Sequence, residues 1–290
     1  MAEQDRLQLI GQAFASLADT ESARFSRELG RVLAALERDL LGLVAGVREG
    51  RRGVLARVGR LLTLRTEIRQ ALEASGYSAL ITRASLDAVE RMAATATGRI
   101  VTQGAAMGRV SPERLRVLAE LMRADLLGVG ETLAHQVWRS AMFSVYTDRP
   151  VSEIVGVLAK AIEKSRAQAQ TLFDTQVSIV GRQIVAAEPT ADDQQAYLYV
   201  GPVDGMVREW CLSQIGMVRT QPAIEALDNG QLPNPFITGG GYNCRHSWMA
   251  VSDPELIALA DTGTRAPGFG ERVDRARAFK AGRKTQRSAA

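Results

Sequence analysis

Residues 239–251 read GGGYNCRHSWMAV, and they close a stretch that opens at residue 197 with YLYVGPVDG. Within this stretch lie both cysteines of the 290-residue chain, Cys211 and Cys244, one of its two histidines, His246, and two of its three tryptophans. The sequence before and after it is repetitive and follows a mostly helical pattern. What is specific about this protein therefore depends first on residues 197–251.

Short strand patterns lie at both ends of this stretch. Tyr197–Val200 has the composition of a strand and is followed by Gly-Pro, while Cys244–Val251 alternates so that His246 and Trp248 share one face. Between them, Asp228-Asn229-Gly230 and the three glycines at 239–241 are turn signals. The pattern predicts a compact α+β module at about 190–255, with Trp248 buried in its core.

The rest of the chain predicts helices. Apolar residues recur at steps of three and four along Phe25–Val47, which places them on one helix face. The same pattern predicts further helices over 55–72, 85–100, 112–127, 152–162 and 166–187, with another that ends near Phe143. Gly128 and Gly130 are expected to interrupt the chain before that last helix, and 50–53, 104–108 and 188–193 to be connections. The fold class is mainly α with a small C-terminal α+β module, and the N-terminal helices are either bundled or extended.

Composition agrees with a helical protein of uneven charge. The chain is 46% hydrophobic but only 5% aromatic, which suits helices packed through Ala, Leu and Val. Its net charge is +4, and most of the positive charge lies beyond residue 262. We therefore divide it into a helical region (1–150), a helix plus α+β module (151–262) and a basic tail (263–290). Since there is no secretory signal pattern and no run of about 18 apolar residues, we expect a soluble protein made in a reducing cytoplasm.

The basic tail predicts a contact with nucleic acid. Its cationic residues are Arg265, Arg272, Arg275, Arg277, Lys280, Arg283, Lys284 and Arg287. Because small residues separate them and sizeable apolar residues are few, we expect the tail to stay unfolded on its own. Such a segment suits non-specific binding to the phosphates of double-stranded DNA, and its removal after Thr262 should leave the module intact. The alternative is a solvated tail without a partner.

The cysteines leave three interpretations open. Cys211, Cys244 and His246 are zinc-type ligands, with Asp204 as a conceivable fourth, although structural zinc sites usually show two paired clusters. A Cys211–Cys244 disulfide is geometrically possible, but a reducing cytoplasm argues against it as a requirement. The pattern favours buried thiols that only pack, so no cofactor is expected and zinc is the alternative.

No convincing catalytic set is present in the sequence. Nucleophilic catalysis would need a cysteine beside His246 and an orienting acid, and no local signature supports that arrangement. A metal-free nuclease would use His246 with Arg208 or Arg245 on a phosphate. We expect both arginines to be structural instead, held by backbone carbonyls or by Asp204. The protein is predicted not to be an enzyme, with a small nuclease or toxin-like enzyme as the alternative.

Several of these residues form an ordered pattern: an aromatic-rich strand, an Asp followed by Arg and Cys, a glycine-containing turn, and Asn-Cys-Arg-His. They are Tyr197, Tyr199, Asp204, Arg208, Cys211, Asn229, Gly230, Gly240, Gly241, Asn243, Cys244, Arg245, His246 and Trp248. This order resembles the phage Mu F-like head morphogenesis family, the minor head proteins of tailed bacteriophages. The helix over 166–187, with Thr171 and Thr175, is similar to the Thr- and Arg-bearing helix that precedes the family pattern. The chain departs from that pattern in having His246 as the final residue and Cys211 after the Arg.

The resemblance covers about 165–252 and implies a role in the virion. Proteins of this family are low-copy components that associate with the portal vertex inside the head, and they are implicated in head assembly and in the state of the DNA for ejection. It implies as partners the portal protein, other virion components and packaged DNA, in several copies and without a membrane. The expected location is the capsid interior or portal vertex, after assembly in the host cytoplasm. A zinc-stabilised adaptor protein without DNA contact is a further alternative.

Overall fold

The computed structural model describes residues 2–49, 54–102, 111–147, 151–185 and 195–288. The long helices are α1 (Glu3–Glu49), α2 (Val54–Ala74), α3 (Tyr77–Thr102), α4 (Pro112–Thr147) and α5 (Val151–Val185). The C-terminal part contains β1 (Ala196–Val200), α6 (Glu209–Gln214), β2 (Val218–Thr220), α7 (Gln221–Glu225), α8 (Pro235–Thr238), β3 (Ser247–Ala250), α9 (Pro254–Ile257) and α10 (Phe269–Ser288). The predicted fold class, mainly α with a small C-terminal α+β module, is confirmed.

Two of the predicted helix boundaries are wrong. Helix α4 runs unbroken through Gly128 and Gly130, and α5 joins the two helices predicted over 152–162 and 166–187. Gly130 is buried, and a Cβ there would lie 2.6 Å from Cε1 of Tyr77, so this glycine permits close packing instead of ending the helix. The predicted connections at 50–53, 104–108 and 188–193 lie outside the described residues.

The chain forms two compact units, and several long helices contribute to both. Unit 1 consists of Met1–Thr20, Val89–Leu115 and Asp174–Ala290, and unit 2 of Glu21–Ala88 and Arg116–Phe173. Unit 2 is a helical bundle, and its buried side chains include Phe25, Leu29, Leu36, Leu64, Ile68, Tyr77, Ile81, Met122, Leu126, Leu133 and Phe173. These residues recur at three- and four-residue steps, so each helix turns one apolar face inward.

Ring and hydroxyl contacts fix the packing inside unit 2. Phe25 and Phe173 stack with their ring centroids 4.0 Å apart. Tyr77 begins α3, and its hydroxyl donates a hydrogen bond of 2.9 Å to the backbone carbonyl of Leu126 in α4. The Tyr77 ring therefore occupies the space that the missing side chain of Gly130 leaves, and the hydroxyl is held at the same time.

Unit 1 contains the sheet, whose strand order is β2-β1-β3 with antiparallel pairing on both sides of β1. The predicted pairing of the Tyr197–Val200 strand with the segment around Trp248 is confirmed, since Tyr199 lies opposite Trp248. Strand β2 has only three residues and was missed by the sequence pattern. Residues 244–246 precede β3 instead of belonging to it, so the strand is shorter than predicted.

The basic tail is folded, contrary to expectation. Helix α10 buries Phe269, Val273 and Ala276, which lie at helical spacing and give the helix an apolar face. The backbone of Ala266 donates to Gly216 O at 2.8 Å, and a Cβ on Gly216 would lie 2.3 Å from the Phe269 side chain. The start of the tail is thus part of the module. Truncation after Thr262 would remove part of its core, which corrects the expectation that the module would stay intact.

The two glycines of α4 provide a matched test of the packing of unit 2. Gly128 is exposed and a Cβ there meets nothing within 4 Å, whereas Gly130 faces the Tyr77 ring. We expect Gly128→Ala to stabilise the protein by about 0.5–1 kcal/mol because alanine is the better helix former. Gly130→Ala should destabilise it by about 1–3 kcal/mol through overpacking.

Urea denaturation followed by circular dichroism measures both changes. Equal stabilisation by the two substitutions would show that Gly130 is not closely packed.

Candidate functional site

The sheet brings the aromatic residues of the predicted motif together. Tyr199 on β1 is fully buried, and its ring centroid lies 4.6 Å from that of Trp248 on β3 and 5.9 Å from that of Trp210 on α6. Trp248 is only 2% exposed, so the prediction that it belongs to a core is confirmed. The Tyr199 hydroxyl points to the side of this cluster where the two cysteines lie.

Cys211, Cys244 and His246 form one buried group. The two sulfur atoms are 3.8 Å apart as free thiols, and the Cys244 sulfur lies 3.8 Å from Nδ1 of His246. The ligand atoms of all three residues lie within 4.8 Å of one another, and the three side chains are at most 3% exposed. The Tyr199 hydroxyl borders the group at 3.4 Å from the Cys244 sulfur and 3.8 Å from the Cys211 sulfur.

Backbone groups fix the orientation of this cluster. Nε2 of His246 lies 2.8 Å from the carbonyl oxygen of Pro202. Because a carbonyl only accepts hydrogen bonds, Nε2 carries the proton, and in the neutral ring Nδ1 turns its lone pair toward Cys244. The backbone N–H of Gly240 donates to the Cys244 sulfur at 3.1 Å. A Cβ at Gly240 would lie 2.4 Å from the Cys211 sulfur, so only glycine brings this N–H so close.

The pKa values of the two thiols are shifted in opposite directions. Burial alone would raise the pKa of Cys244, but its hydrogen bond with Cys211, the positive charge of Arg182 and the contact with His246 together lower that pKa well below its usual value. The hydrogen bond with Cys244 and burial raise the pKa of Cys211. Burial and the neighbouring sulfurs also raise the pKa of Tyr199, so its hydroxyl stays protonated as a donor. Cys244 is therefore the thiol of the pair that ionises first.

Arg182 is the residue that the sequence reasoning missed. It lies on α5, is 2% exposed, and donates to the backbone carbonyls of Cys244, Ile237 and His246, the last two at 3.2 and 2.7 Å. The available signal was its spacing from Thr175, seven residues earlier on α5, which places the two side chains on one face of the helix. On the same helix, Thr175 Oγ1 accepts a hydrogen bond of 3.1 Å from the backbone N–H of Asn243.

The remaining arginines of the motif hold the module together. Arg245 forms a two-oxygen contact with Asp204 at 2.7 and 2.9 Å and a weaker pair with Asp19 at 3.5 Å. Burial raises the pKa of Asp204, but the hydrogen bonds from Arg245 and from the backbone N–H of Met206, together with the charge of Arg245, outweigh burial, so the net pKa is lowered. Arg208 donates to the carbonyl of Gly240 at 2.6 Å. Asp204 therefore serves Arg245 and is not part of the cysteine group.

The turn residues of the motif shape the loop that carries Cys244. Asn229 accepts from the backbone N–H of Gln231 at 2.9 Å and donates to the carbonyl of Gly239 at 2.9 Å. Gly230, Gly241 and Asn243 adopt positive φ values of 70°, 91° and 54°. Left-handed backbone at these positions suits glycine and asparagine, so the sequence of the loop and its conformation agree.

The predicted DNA-binding residues have different environments. Arg265 donates to the carbonyls of Ile215 and Ser213, and Lys280 to that of Val207. Arg272 pairs with Asp5 at 3.0 Å and Arg277 with Glu209 at 2.9 Å. Arg275 is exposed, and its Nε donates at 3.4 Å to Glu271 O within its own helix. The side chains of Arg283, Lys284 and Arg287 lie outside the described part of the structure.

Comparisons with known proteins do not identify the chain. No protein-family model, no curated protein and no solved structure matches it. The likeness to phage head morphogenesis proteins therefore stays a prediction. Among the described helices, none combines the length and the apolar character needed to cross a membrane.

Replacing Arg182 tests whether it holds the motif loop. Arg182→Met keeps the aliphatic bulk but leaves three carbonyls without their donor, so we expect a loss of about 3 kcal/mol or more in unfolding free energy. Arg166→Met on the same helix is the control, because Arg166 is exposed and its loss should change stability by less than about 0.5 kcal/mol.

Guanidinium chloride denaturation followed by tryptophan fluorescence gives both values. If the two variants were equally stable, Arg182 would not be the anchor of the loop.

Proposed function

We propose that the protein is a non-enzymatic bacteriophage minor head protein. In this proposal it associates in several copies with the portal protein and other virion components inside the capsid. It acts in head assembly and in packaging or ejection of the genome, first in the host cytoplasm and then in the virion, and it does not contact a membrane there. The resemblance of residues 165–252 to head morphogenesis proteins supplies the proposal.

The main support for the proposal is that the polar motif residues are engaged in contacts inside unit 1. Arg245 is engaged by Asp204, Arg208 by the carbonyl of Gly240, and Asn229 by the backbone of its own turn. Each of these polar residues holds a part of the module in place. These contacts give the motif residues a structural role, which supports a scaffold whose functional contacts are made by other surfaces.

The nuclease alternative draws less support from the same contacts. A metal-free nuclease needs its general base within hydrogen-bond reach of a bound phosphate. His246 is 3% exposed, and its Nε2 is occupied by the carbonyl of Pro202. Arg208 and Arg245, its suggested partners, are already engaged within unit 1.

A DNA contact, if it involves the tail, uses fewer cations than the sequence suggests. Arg265 and Lys280 are engaged with backbone carbonyls, which leaves exposed Arg275 as a candidate contact, and the sequence adds Arg283, Lys284 and Arg287 beyond the described side chains. Arg275 also borders, with Arg272, an open cleft of about 590 Å³ between α10 and the start of α1. A folded cationic helix end therefore replaces the unfolded tail as the proposed DNA contact.

DNA binding is tested by neutralising that helix end. The variant with Arg275, Arg283, Lys284 and Arg287 all changed to Gln should lose most of its affinity for a random-sequence duplex, measured by fluorescence anisotropy at low salt. For the unaltered protein, about four phosphate contacts predict a slope of log K against log salt of roughly −3 to −4.

A second quadruple variant controls for net charge. Arg139, Lys160, Lys164 and Arg166 are exposed cations on α4 and α5, and changing all four to Gln removes the same charge. This variant should retain most of the binding. Equal weakening in the two variants would mean that the attraction is generic and that α10 is not the contact.

Portal association requires a separate experiment. Co-expression with the portal protein of the same phage is expected to yield a complex that elutes together in size-exclusion chromatography and contains several copies of this chain. The α10 variant should still co-elute, because its substitutions leave the module unchanged. Separate elution at micromolar concentrations, with both proteins folded, would contradict the proposed role.

A further inference from the structure

We propose that Cys211, Cys244 and His246 form a structural zinc site. This inference does not depend on the proposed role in the virion, since it rests on the donor atoms alone. Two thiol sulfurs and one imidazole nitrogen are the ligand types that select zinc among the common divalent ions. Within the described residues they converge from two parts of the chain: Cys211 from helix α6, and Cys244 and His246 from the segment between the glycines and β3.

Two of the three separations between the donors match those at a tetrahedral zinc ion. With zinc–sulfur bonds of about 2.3 Å, two sulfurs on one tetrahedral zinc lie about 3.8 Å apart, and a sulfur and a nitrogen about 3.6 Å apart. The observed separations are 3.8 Å between the two sulfurs and 3.8 Å between the Cys244 sulfur and Nδ1 of His246. The third pair, the Cys211 sulfur and the His246 ring, lies within 4.8 Å, so an ion would draw these two side chains closer together.

The surroundings of the donors are those that metal-bound residues require. The proton of His246 is on Nε2 and donates to the carbonyl of Pro202, which leaves Nδ1 free to coordinate. The backbone N–H of Gly240 donates to the Cys244 sulfur, a contact that stabilises a thiolate. The Tyr199 hydroxyl faces the remaining side of the group, 3.4 Å from one sulfur and 3.8 Å from the other.

An ion bound by Cys211, Cys244 and His246 would stabilise the module by linking separate segments of the chain. Cys211 belongs to α6, Cys244 to the loop that Arg182 holds, and His246 to the segment that enters β3. An ion bound by all three would cross-link segments that are 33 and 35 residues apart in the chain. The part of the module that the structure describes has a three-stranded sheet of short strands, so such a cross-link would add a constraint to a small core.

Cobalt is the direct probe, because a tetrahedral site with thiolate ligands gives sulfur-to-cobalt charge-transfer bands and intense ligand-field bands. The full chain, refolded under reducing conditions with Co²⁺, should show these bands and saturate at one ion per chain. Added Zn²⁺ should remove them by displacement. Metal analysis of protein produced with zinc in the medium should give the same stoichiometry.

The variants identify the ligands. Changing both Cys211 and Cys244 to Ser should remove the charge-transfer bands, because no thiolate ligand then remains, and His246→Gln should weaken cobalt binding by more than about 100-fold. His135→Gln is the matched control, since His135 is the other histidine of the chain and is exposed on α4. It should bind cobalt as the unaltered protein does.

A measurement on the unaltered protein covers the case in which a variant does not fold. Zinc should raise its melting temperature in a concentration-dependent manner, and a chelator should reverse the shift. The proposal is overturned if the reduced, folded protein shows neither cobalt bands nor a zinc-dependent melting temperature. Binding that is unchanged in the cysteine and His246 variants would also overturn it, because the ion would then be held elsewhere.

Discussion

The C-terminal module depends on one buried cation. Arg182 enters from α5 and donates to three backbone carbonyls: one at residue 237 in α8, one at residue 244 in the following loop, and one at residue 246 just before β3. A buried guanidinium is costly unless all of its hydrogen bonds are made, and carbonyls are costly when left without donors. The buried guanidinium and the three carbonyls therefore depend on each other for their hydrogen bonds. The loop has its observed path because only that path brings its carbonyls to the guanidinium.

The positive charge of Arg182 also acts on the nearby thiol of Cys244. Arg182 contributes to lowering the pKa of Cys244, so a buried cation and an easily ionised thiol stabilise one another across the loop. Gly240 completes this arrangement, since its N–H reaches the Cys244 sulfur only because it has no side chain to meet Cys211. The glycine run, the arginine and the thiols are thus parts of one electrostatic arrangement. Because these residues lie far apart in the sequence, the sequence alone does not show that they interact.

The sequence predicted those features that depend on residues close together in the chain, and it missed those that depend on distant residues. Helices were found from apolar periodicity, and the pairing of β1 with β3 from two strand patterns around a turn-rich segment, because both signals are local. Gly130 was misjudged because its role depends on Tyr77, 53 residues away in the chain. Strand β2 was missed because three residues carry no readable alternation. Arg182 was missed for the related reason that its partners are backbone atoms, which have no signature in the sequence.

The tail shows how charge can conceal a fold. Its eight cationic residues suggested an unfolded segment, but Phe269, Val273 and Ala276 form an apolar face that residue counts do not register. Two of the cations then lie where they can donate to backbone carbonyls of the module, Arg265 at Ser213 and Lys280 at Val207. These two side chains attach the helix to the module as hydrogen-bond donors. The count of eight cations therefore overstates the charge available to a partner. A cationic segment can therefore be part of a fold even where its composition suggests only a solvated or binding tail.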